Sequence, residues 1–348
     1  MKENFLLSIQ QKSFLLIFFF VPFVIKCQNT QPADSFYVAN WNVENLFDVE
    51  DDPLRNDSEF LPESDKQWTE DRLEKKLNNL TRVINYMNSG CGPDILGVEE
   101  VENINVLKFL AYKIKDHDYI IAHRESPDER GIDAALIYDR SKFDIVKIDT
   151  LRVNLSTNYN TRFILQVTLN HKASGENVNF FVNHWPSRRG GEEKSGKNRF
   201  VAAEVLKARV DLLNKNGSNN IIIMGDFNDE PGNLSLADVL SAAKFDCGNN
   251  QKKKILNSSY KKFEDGEGSY KYQSDWNMLD QIIISSELQD GKEIEYVCDS
   301  FEVIKPPFAI ANEGSRKGAM IPTYSGAKYI GGYSDHFPVG AKFYYYKK

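Results

Sequence analysis

Cysteine, net positive charge, internal repeats and long apolar stretches are all scarce in this 348-residue chain, and each shortage excludes something. Four cysteines at irregular spacing, Cys27, Cys91, Cys247 and Cys298, make neither a disulfide framework nor a zinc cluster. For the last three, one disulfide and three small buried hydrophobes are both open readings. The 12 prolines and 21 glycines follow no collagen-like period, and no segment recurs at solenoid or propeller spacing, so a repeat protein is excluded. The longest apolar run, Phe14 to Ile25, falls short of the ~20 residues that a helix needs to cross a bilayer.

Preceded by Lys2 and Lys12, that run matches the apolar core of an export signal, so residues 1–27 read as a signal peptide and the expected location is periplasmic, cell-surface or extracellular. Ile25-Lys26-Cys27 is a poor cleavage context, which leaves an uncleaved membrane anchor or a lipid attachment at Cys27 open. Removing the leader takes the net charge from −7 to −9, with 40 basic and 49 acidic residues left. That balance excludes a protein that coats nucleic acid through bulk positive charge; phosphate recognition has to be local or carried by a metal. With 41% hydrophobic and 27% charged residues, the chain can bury one large core, or two at most.

Residues 28–35, QNTQPADS, read as a polar linker, and nothing marks a further boundary in 36–348. Phe36 to Val43 has the pattern of a strand. The acidic stretch Glu44 to Asp65 holds Glu50, Asp51, Asp52, Asp57 and Glu59; a structural Ca²⁺ site is weighed there against a solvated charged loop, which the absent EF-hand spacing favours. Leu73, Leu77, Leu80, Ile84 and Met87 recur at helical spacing, with Thr69 as cap and Gly90 as stop. Further helices are expected at 103–114 and 200–213. Strands are expected at 94–98, 119–122, 134–138, 163–169, 178–182, 221–224, 279–284 and 339–345. Neighbouring strands mixed with helical crossovers predict mixed sheets covered by helices.

Polar residues cluster just past these strand ends. Asn42 follows the first strand, Glu99 and Glu100 follow 94–98, and His184 follows 178–182. Asp226 and Asn228 follow 221–224, Asp280 opens 279–284, and Asp335 and His336 precede the last strand. Strand ends along one sheet edge are where loops place functional groups on a rigid scaffold. Each signal alone has a structural explanation, a hydrogen-bonded histidine or a turn around Gly225. Together they suit magnesium-assisted hydrolysis of a phosphate ester, in which hard oxygens bind the ion, a carboxylate or imidazole activates water, and the remaining groups stabilise phosphate charge.

The set WNVEN at 41–45, PDILGVEE at 93–100, NHWPS at 183–187, GDFND at 225–229, LDQI at 279–282 and SDHFPV at 334–339 resembles the endonuclease/exonuclease/phosphatase superfamily, in that family's order and over about residues 36–346. The resemblance implies a four-layer α/β/β/α sandwich with two face-packed mixed β-sheets. It implies that Glu100 binds the catalytic metal, Mg²⁺ or Mn²⁺, with Asn42 beside it and Asp335 as a second ligand. Glu99 stands where relatives usually carry glutamine, and is a supporting or substrate-contact residue. Asp226 and Asn228 match the pair that activates water and holds the phosphate, Asp280 and His336 the coupled carboxylate and imidazole. His184 matches a histidine that is a candidate general acid.

Arg188, Arg189, Lys194, Lys197 and Arg199 form a basic stretch beside His184; local phosphate capture by Arg188, Arg189 and Arg199 is expected over a solvated loop. The leading functional expectation is an exported, monomeric endonuclease with nucleic acid as substrate and no obligate protein partner. A phospholipid-directed phosphodiesterase or phosphatase is the enzymatic rival, and Val303 to Ile310 is its one candidate membrane element. A small-molecule phosphatase and a non-catalytic binding protein complete the set; loss of Glu100 or either histidine would favour the latter, and all three are present.

Overall fold

The computed structural model describes residues 32–155, 159–248, 254–289 and 291–347. The leader with Cys27, and the linker up to Gln31, lie outside the described residues. In chain order the first elements are β1 (Asp34–Leu46), α1 (Glu70–Ile84), β2 (Ile95–Val101), α2 (Ile104–Lys113), β3 (Tyr119–His123), β4 (Asp133–Asp139) and β5 (Phe143–Leu151). There follow β6 (Ile164–His171), β7 (Glu176–His184), α3 (Glu192–Lys215), β8 (Ile221–Asp226), β9 (Ala243–Lys244), β10 (Ile255–Asn257) and α4 (Tyr260–Glu264). The chain ends with β11 (Tyr270–Tyr272), β12 (Asp275–Asn277), β13 (Asp280–Ser285), β14 (Ile294–Tyr296), β15 (Glu302–Val303), β16 (Tyr324–Ser325), β17 (Lys328–Tyr329) and β18 (Val339–Tyr345).

Two mixed sheets pack face to face. One runs β14-β18-β1-β2-β4-β3 with β15 also on β18; the other runs β5-β6-β7-β8-β13-β10-β9. β11–β12 and β16–β17 are separate hairpins. In β1, Phe36, Tyr37, Val38, Ala39, Trp41 and Val43 are all buried, as expected of a central strand covered on both faces. In β8 the alternation of side chains divides two cores: Ile222 and Met224 face the other sheet, while Ile221 and Ile223 pack outward with Ala202, Ala203, Leu206 and Val210 of α3. α1 and α2 cover the first sheet, which completes the four layers.

α1 buries Leu73, Leu77, Leu80 and Ile84 but stops before Met87, where the chain tightens into a short 3₁₀ turn ending at Gly90. Thr69 takes the cap position without a capping side-chain bond, whereas Asn103 caps α2 by accepting the N–H groups of Asn105 and Val106. The basic stretch is not a loop throughout, because α3 begins at Glu192 with two glutamates at its positive end. β5 was not anticipated: it is an edge strand with exposed Ile145 and Val146 and a bulge that interrupts its ladder, so it lacks a clean alternating pattern. The acidic stretch is not wholly solvated, since Glu44 and Asp57 are buried, Asp57 accepting the Asp52 N–H. Val303 to Ile310 is a packed loop, its Phe308 lying against Tyr86, Tyr333 and the Arg82 guanidinium. Among the described residues no helix is long and apolar enough to cross a membrane. Cys247 and Cys298 form a disulfide and Cys91 is an exposed free thiol.

His171, at the end of β6, is built into the core edge against Phe36, Phe143 and Tyr345, with Nδ1 on Ser174 Oγ at 2.9 Å. Burial pushes its pKa down to about 4, and Lys142 adds to the shift. The unfolded chain takes up this proton near pH ~6.5, so the folded state loses stability as pH falls from there toward 4, by up to about 3 kcal/mol. His171→Phe is expected to flatten that part of the stability curve relative to wild type in urea unfolding at pH 7, 5.5 and 4.5. Parallel curves would show that His171 is not the responsible group.

Candidate active site

Strand direction brings the polar strand ends to one edge. β7 and β8 run parallel and end at His184 and Asp226, which are paired in register. β13 runs antiparallel to β8, so Asp280, its first residue, lies opposite Asp226. Side-chain parity decides which way they point. The phase that directs Val182, Met224 and Ile282 between the sheets continues to His184, Asp226 and Asp280, so all three emerge at the mouth of the inter-sheet gap.

β2 follows the same rule as far as Glu99 and then breaks it. Gly97 faces Met224 across the gap beside Asn40 of the neighbouring β1, so Glu99 points inward too and is fully buried, its Oε2 accepting from Asn40 Nδ2 at 3.2 Å. Burial, with Asp280 and Asp226, holds this carboxyl well above the usual range. Glu99 therefore resists carrying charge and, fully buried, does not line the cleft. Glu100 sits in a bulge at φ 62°, and so is turned away from the strand's alternation toward the cleft. Its Oε2 accepts the Asn45 N–H at 3.1 Å, and its Oε1 lies 3.4 Å from Asn42 Nδ2.

Asp335 lines the same cleft; burial raises its pKa, and the charge of Glu100 adds to that. The Glu100 and Asp335 carboxyls are an oxygen donor pair that fits a hard divalent cation retaining several waters, while Asn42 beside them gives its Oδ1 to the Glu44 N–H and turns its Nδ2 toward Glu100 and Asp226. Among the described residues, tight groups of three His or carboxylate atoms lie elsewhere, at Asp94–His117–Asp139 and His123–Glu125–Asp133. Both are already tied internally, through His117–Asp139 at 2.7 Å and His123–Asp133 at 2.9 Å.

Asp280 Oδ2 accepts from Ser269 Oγ at 2.6 Å and from His336 Nδ1 at 2.7 Å. Burial opposes charge on His336, but Asp280, then Asp335 and Asp226, outweigh it and raise the imidazole well above its ordinary pKa. Its ring stacks on Tyr270 and its Nε2 lies 4.0 Å from Asp226 Oδ2. Asp226 is pushed up to about 6 by burial, against the pull of His336. Asn42 Nδ2 and the Asn228 N–H bond its two oxygens, at 3.1 and 2.8 Å. Asn228 adopts φ 51° and ties its amide to the Trp185 carbonyl at 3.1 Å.

His184 Nε2 is 3.8 Å from both Glu100 and Asp226, while its Nδ1 is buried without a partner. Burial, with Arg162 and Arg130, holds its pKa well below the ordinary value. The imidazole is therefore hard to charge, and its Nε2 is the ring atom that faces the cleft carboxylates.

These groups form the floor of a cleft of about 1290 Å³. Of the three arginines expected to capture phosphate, only Arg189 is exposed and uncommitted at its rim. Arg188 lines the cleft but spends its guanidinium on Asn228 O, Asn277 Oδ1 and Asn233 Oδ1. Arg199 is a correction: it is 1% exposed, and Asp229 at 2.8 Å with the carbonyls of Pro186, Ser187 and Glu192 hold it inside the protein. The arginines nearest the centre are Arg130 and Arg162, which sequence reading missed. Arg162 bonds Asp128 Oδ2 at 3.1 Å and the Trp185 carbonyl at 2.9 Å, and its Nε is buried without a partner. It directly precedes β6, which runs antiparallel to β7, so the start of β6 and the end of β7 share an edge.

Arg199→Ala takes the nearer cation, at 2.8 Å, from buried Asp229 and leaves it Arg188 at 3.6 Å and the Ser235 hydroxyl, and is expected to cost roughly 3 kcal/mol of folding stability. Arg189→Ala should stay within about 0.5 kcal/mol of wild type. Urea midpoints of the two variants check this assignment, and equal midpoints would return Arg199 to the phosphate-capture group.

A family model described as "Endonuclease/Exonuclease/phosphatase family" matches residues 37–345. Similar solved structures include an endonuclease/exonuclease/phosphatase family protein of Bacteroides thetaiotaomicron, with TM-score 0.57, 18% identity, and coverage of 90% of this chain and 99% of that one. A mannosyl-6-phosphatase of the same organism has TM-score 0.54, 18% identity, and coverage of 89% and 99%. The human Nocturnin catalytic domain has TM-score 0.52, 18% identity, and coverage of 89% and 94%. At these identities the likeness is one of fold. No curated protein matches the chain at a significant level. By its family match and its two face-packed sheets, this chain belongs to the endonuclease/exonuclease/phosphatase family.

Proposed function

We propose that the protein is an exported, Mg²⁺-dependent phosphodiesterase that cleaves nucleic acid internally and prefers flexible, single-stranded substrate. The observation that carries the reading is the cleft itself: Glu100 and Asp335 face Asp226 and His336 on its floor, with Arg130, Arg162, Tyr159 and Tyr272 on its walls. Guanidinium forks suit phosphate oxygens, and half-exposed aromatics offer stacking surfaces to unpaired bases. The cleft also carries Glu59, Glu129 and Glu192, so it lacks the continuous positive track that a duplex backbone would follow.

In this reading Glu100 and Asp335, with Asn42 beside them, would hold the cation, which would supply positive charge to a phosphoryl oxygen. Asp226, with a pKa of about 6, takes the proton of a water positioned by Asn228. The water oxygen bonds to phosphorus as the P–O bond to the leaving group breaks. His336, kept cationic by Asp280, turns Nε2–H toward the charge that accumulates on the phosphoryl group. The Cys247–Cys298 disulfide supports an oxidising compartment, and export otherwise rests on the sequence of the leader. The protein is taken as a monomer without an obligate partner.

The acidic rim favours a second reading, hydrolysis of a compact sugar phosphate whose hydroxyls would donate to Glu59, Glu129 and Glu192. A phospholipid substrate has less support, because Val303 to Ile310 is packed and presents no membrane element.

The deciding experiment is a side-by-side Mg²⁺ assay on single-stranded DNA, plasmid DNA, RNA, a hexose phosphate, sphingomyelin and a phosphoinositide. Internal cleavage of single-stranded DNA or RNA is expected; release of phosphate from the hexose ester alone would replace the nuclease reading by the second. Activity is expected to vanish in excess chelator and return with Mg²⁺ or Mn²⁺, and Glu100→Gln should need far more metal. Full activity in chelator would remove the metal from the scheme. Asp226→Asn is expected to lower kcat by roughly 10²–10⁴-fold with thermal stability retained. A near-normal kcat in that variant would leave His336 as the base.

A further inference from the structure

The loop between β1 and α1 brings to the cleft a lysine that the scheme above does not use. Lys66 lines the cleft together with Glu59 and Phe60, and Lys66 and Glu59 also line an adjoining cavity of about 570 Å³ beside Gly326 and Ala327, the turn of the β16–β17 hairpin. The lysine therefore stands where the two spaces meet. Contacts trace the way to it from the centre: Glu100 accepts the Asn45 N–H, Phe47 two residues on stacks on Phe60 with ring centroids 4.2 Å apart, and the Lys66 ammonium lies 4.1 Å from the Phe60 centroid. From the other side the ammonium is 5.3 Å from the Tyr324 ring, and the Lys66 carbonyl accepts from the Tyr324 hydroxyl at 3.0 Å and from Arg72, which fixes the backbone that carries it. Its ion pair, at 2.7 Å, is with Glu59, whose side chain is 70% exposed. A pair with so exposed a carboxylate contributes little, so a better anion can take its place.

We infer that Lys66 anchors a second phosphate of the substrate strand, one that is not being cleaved. With the reacting phosphate at Glu100, the strand runs along the Phe47–Phe60 wall, a neighbouring phosphate displaces Glu59 from the ammonium, and the adjoining cavity takes the chain beyond it. A compact ammonium on a stem held over two rings suits this task, because it meets phosphate as a point charge and demands no fixed fork geometry. Glu59 competes for the same ammonium and so weakens the site for any ligand that carries a single phosphate at the centre.

The inference rests on the nuclease reading and deepens it, by naming a group that distinguishes a strand from a single phosphate ester. Lys66→Met keeps an unbranched stem over the rings and removes the charge. The probes are a single-stranded oligonucleotide and bis(p-nitrophenyl) phosphate, whose one phosphodiester reaches only the centre. In Lys66→Met the ratio of kcat/KM for the first to that for the second is expected to fall about 10-fold, and the log–log salt dependence of the oligonucleotide KM to lose about 0.7 of its slope. Lys66→Arg should hold both near wild type, and Glu59→Gln, which removes the competing carboxylate, should raise the ratio about threefold. An unchanged ratio and slope in Lys66→Met, or an equal fall on both substrates as a loop brace would give, overturns the inference and leaves the nuclease reading intact. A ratio that does not rise in Glu59→Gln does the same, and decides the matter should Lys66→Met fail to fold. Wild type that hydrolyses bis(p-nitrophenyl) phosphate but no oligonucleotide overturns the nuclease reading and this inference with it.

Discussion

Negative charge gathered at the mouth of an apolar gap is the constraint on which the rest of this site depends. Glu44, Glu100, Asp226, Asp280 and Asp335 converge where two hydrophobic sheets meet, and unpaired buried carboxylates are costly. The protein answers each differently. Asp280 is neutralised by His336 and by the Ser269 hydroxyl, and Glu44 by Lys76 and two backbone amides. Burial holds the Glu99 carboxyl well above its usual range, and Asp226 is raised to about 6. In the proposed function Glu100 and Asp335 remain as the pair that would hold a divalent ion.

The geometry that permits this comes from β-sheet parity and from its deliberate failure. One phase of each strand lines the inter-sheet core, and where the apolar residues stop the same phase carries polar ones into the cleft. Following the rule alone, β2 could place only Glu99 there, facing inward. Glu44, Asn45, Glu100 and Asn228 all adopt left-handed backbone conformations, a cost that recurs where a side chain has to be aimed against its strand. Gly225 serves the same end by proximity, because a Cβ there would lie 2.0 Å from the Asn183 carbonyl. The two strands that deliver His184 and Asp226 can therefore approach closely.

A fold held in common with a sugar phosphatase, a human Nocturnin domain and other family members does not choose among their substrates, because the shared edge carries the reaction and the loops carry the choice. In this chain the loops bring both guanidinium groups and glutamates to the cleft, and they tie Arg188 and Arg199 into the scaffold. Basic residues adjacent in sequence to His184 are thus divided between those tied into the scaffold and those left at the cleft rim, according to which partner lies within reach.

Much of the fold was legible because it was locally encoded. β1, β7, β8 and β18 are dense in β-branched, aromatic and other apolar residues, the α1 stripe has helical spacing, and polar residues follow strand ends in the order of a known family. The short strands β9, β10, β14 and β15 were not legible, since two or three residues carry no periodicity, and neither was β5, whose exposed edge lacks a buried face. By itself the sequence determined which residue types arrive at the sheet edge, because strand length and alternation are properties of consecutive residues. Only the tertiary structure decided that burial raises the Glu99 carboxyl and lowers the His184 imidazole, that Arg162 and not Arg199 lines the cleft, that Cys247 pairs with Cys298, and that Lys76 lies against Glu44. Charge state, pairing and access depend on neighbours brought together from distant parts of the chain, and no spacing along the chain records how far apart those neighbours end.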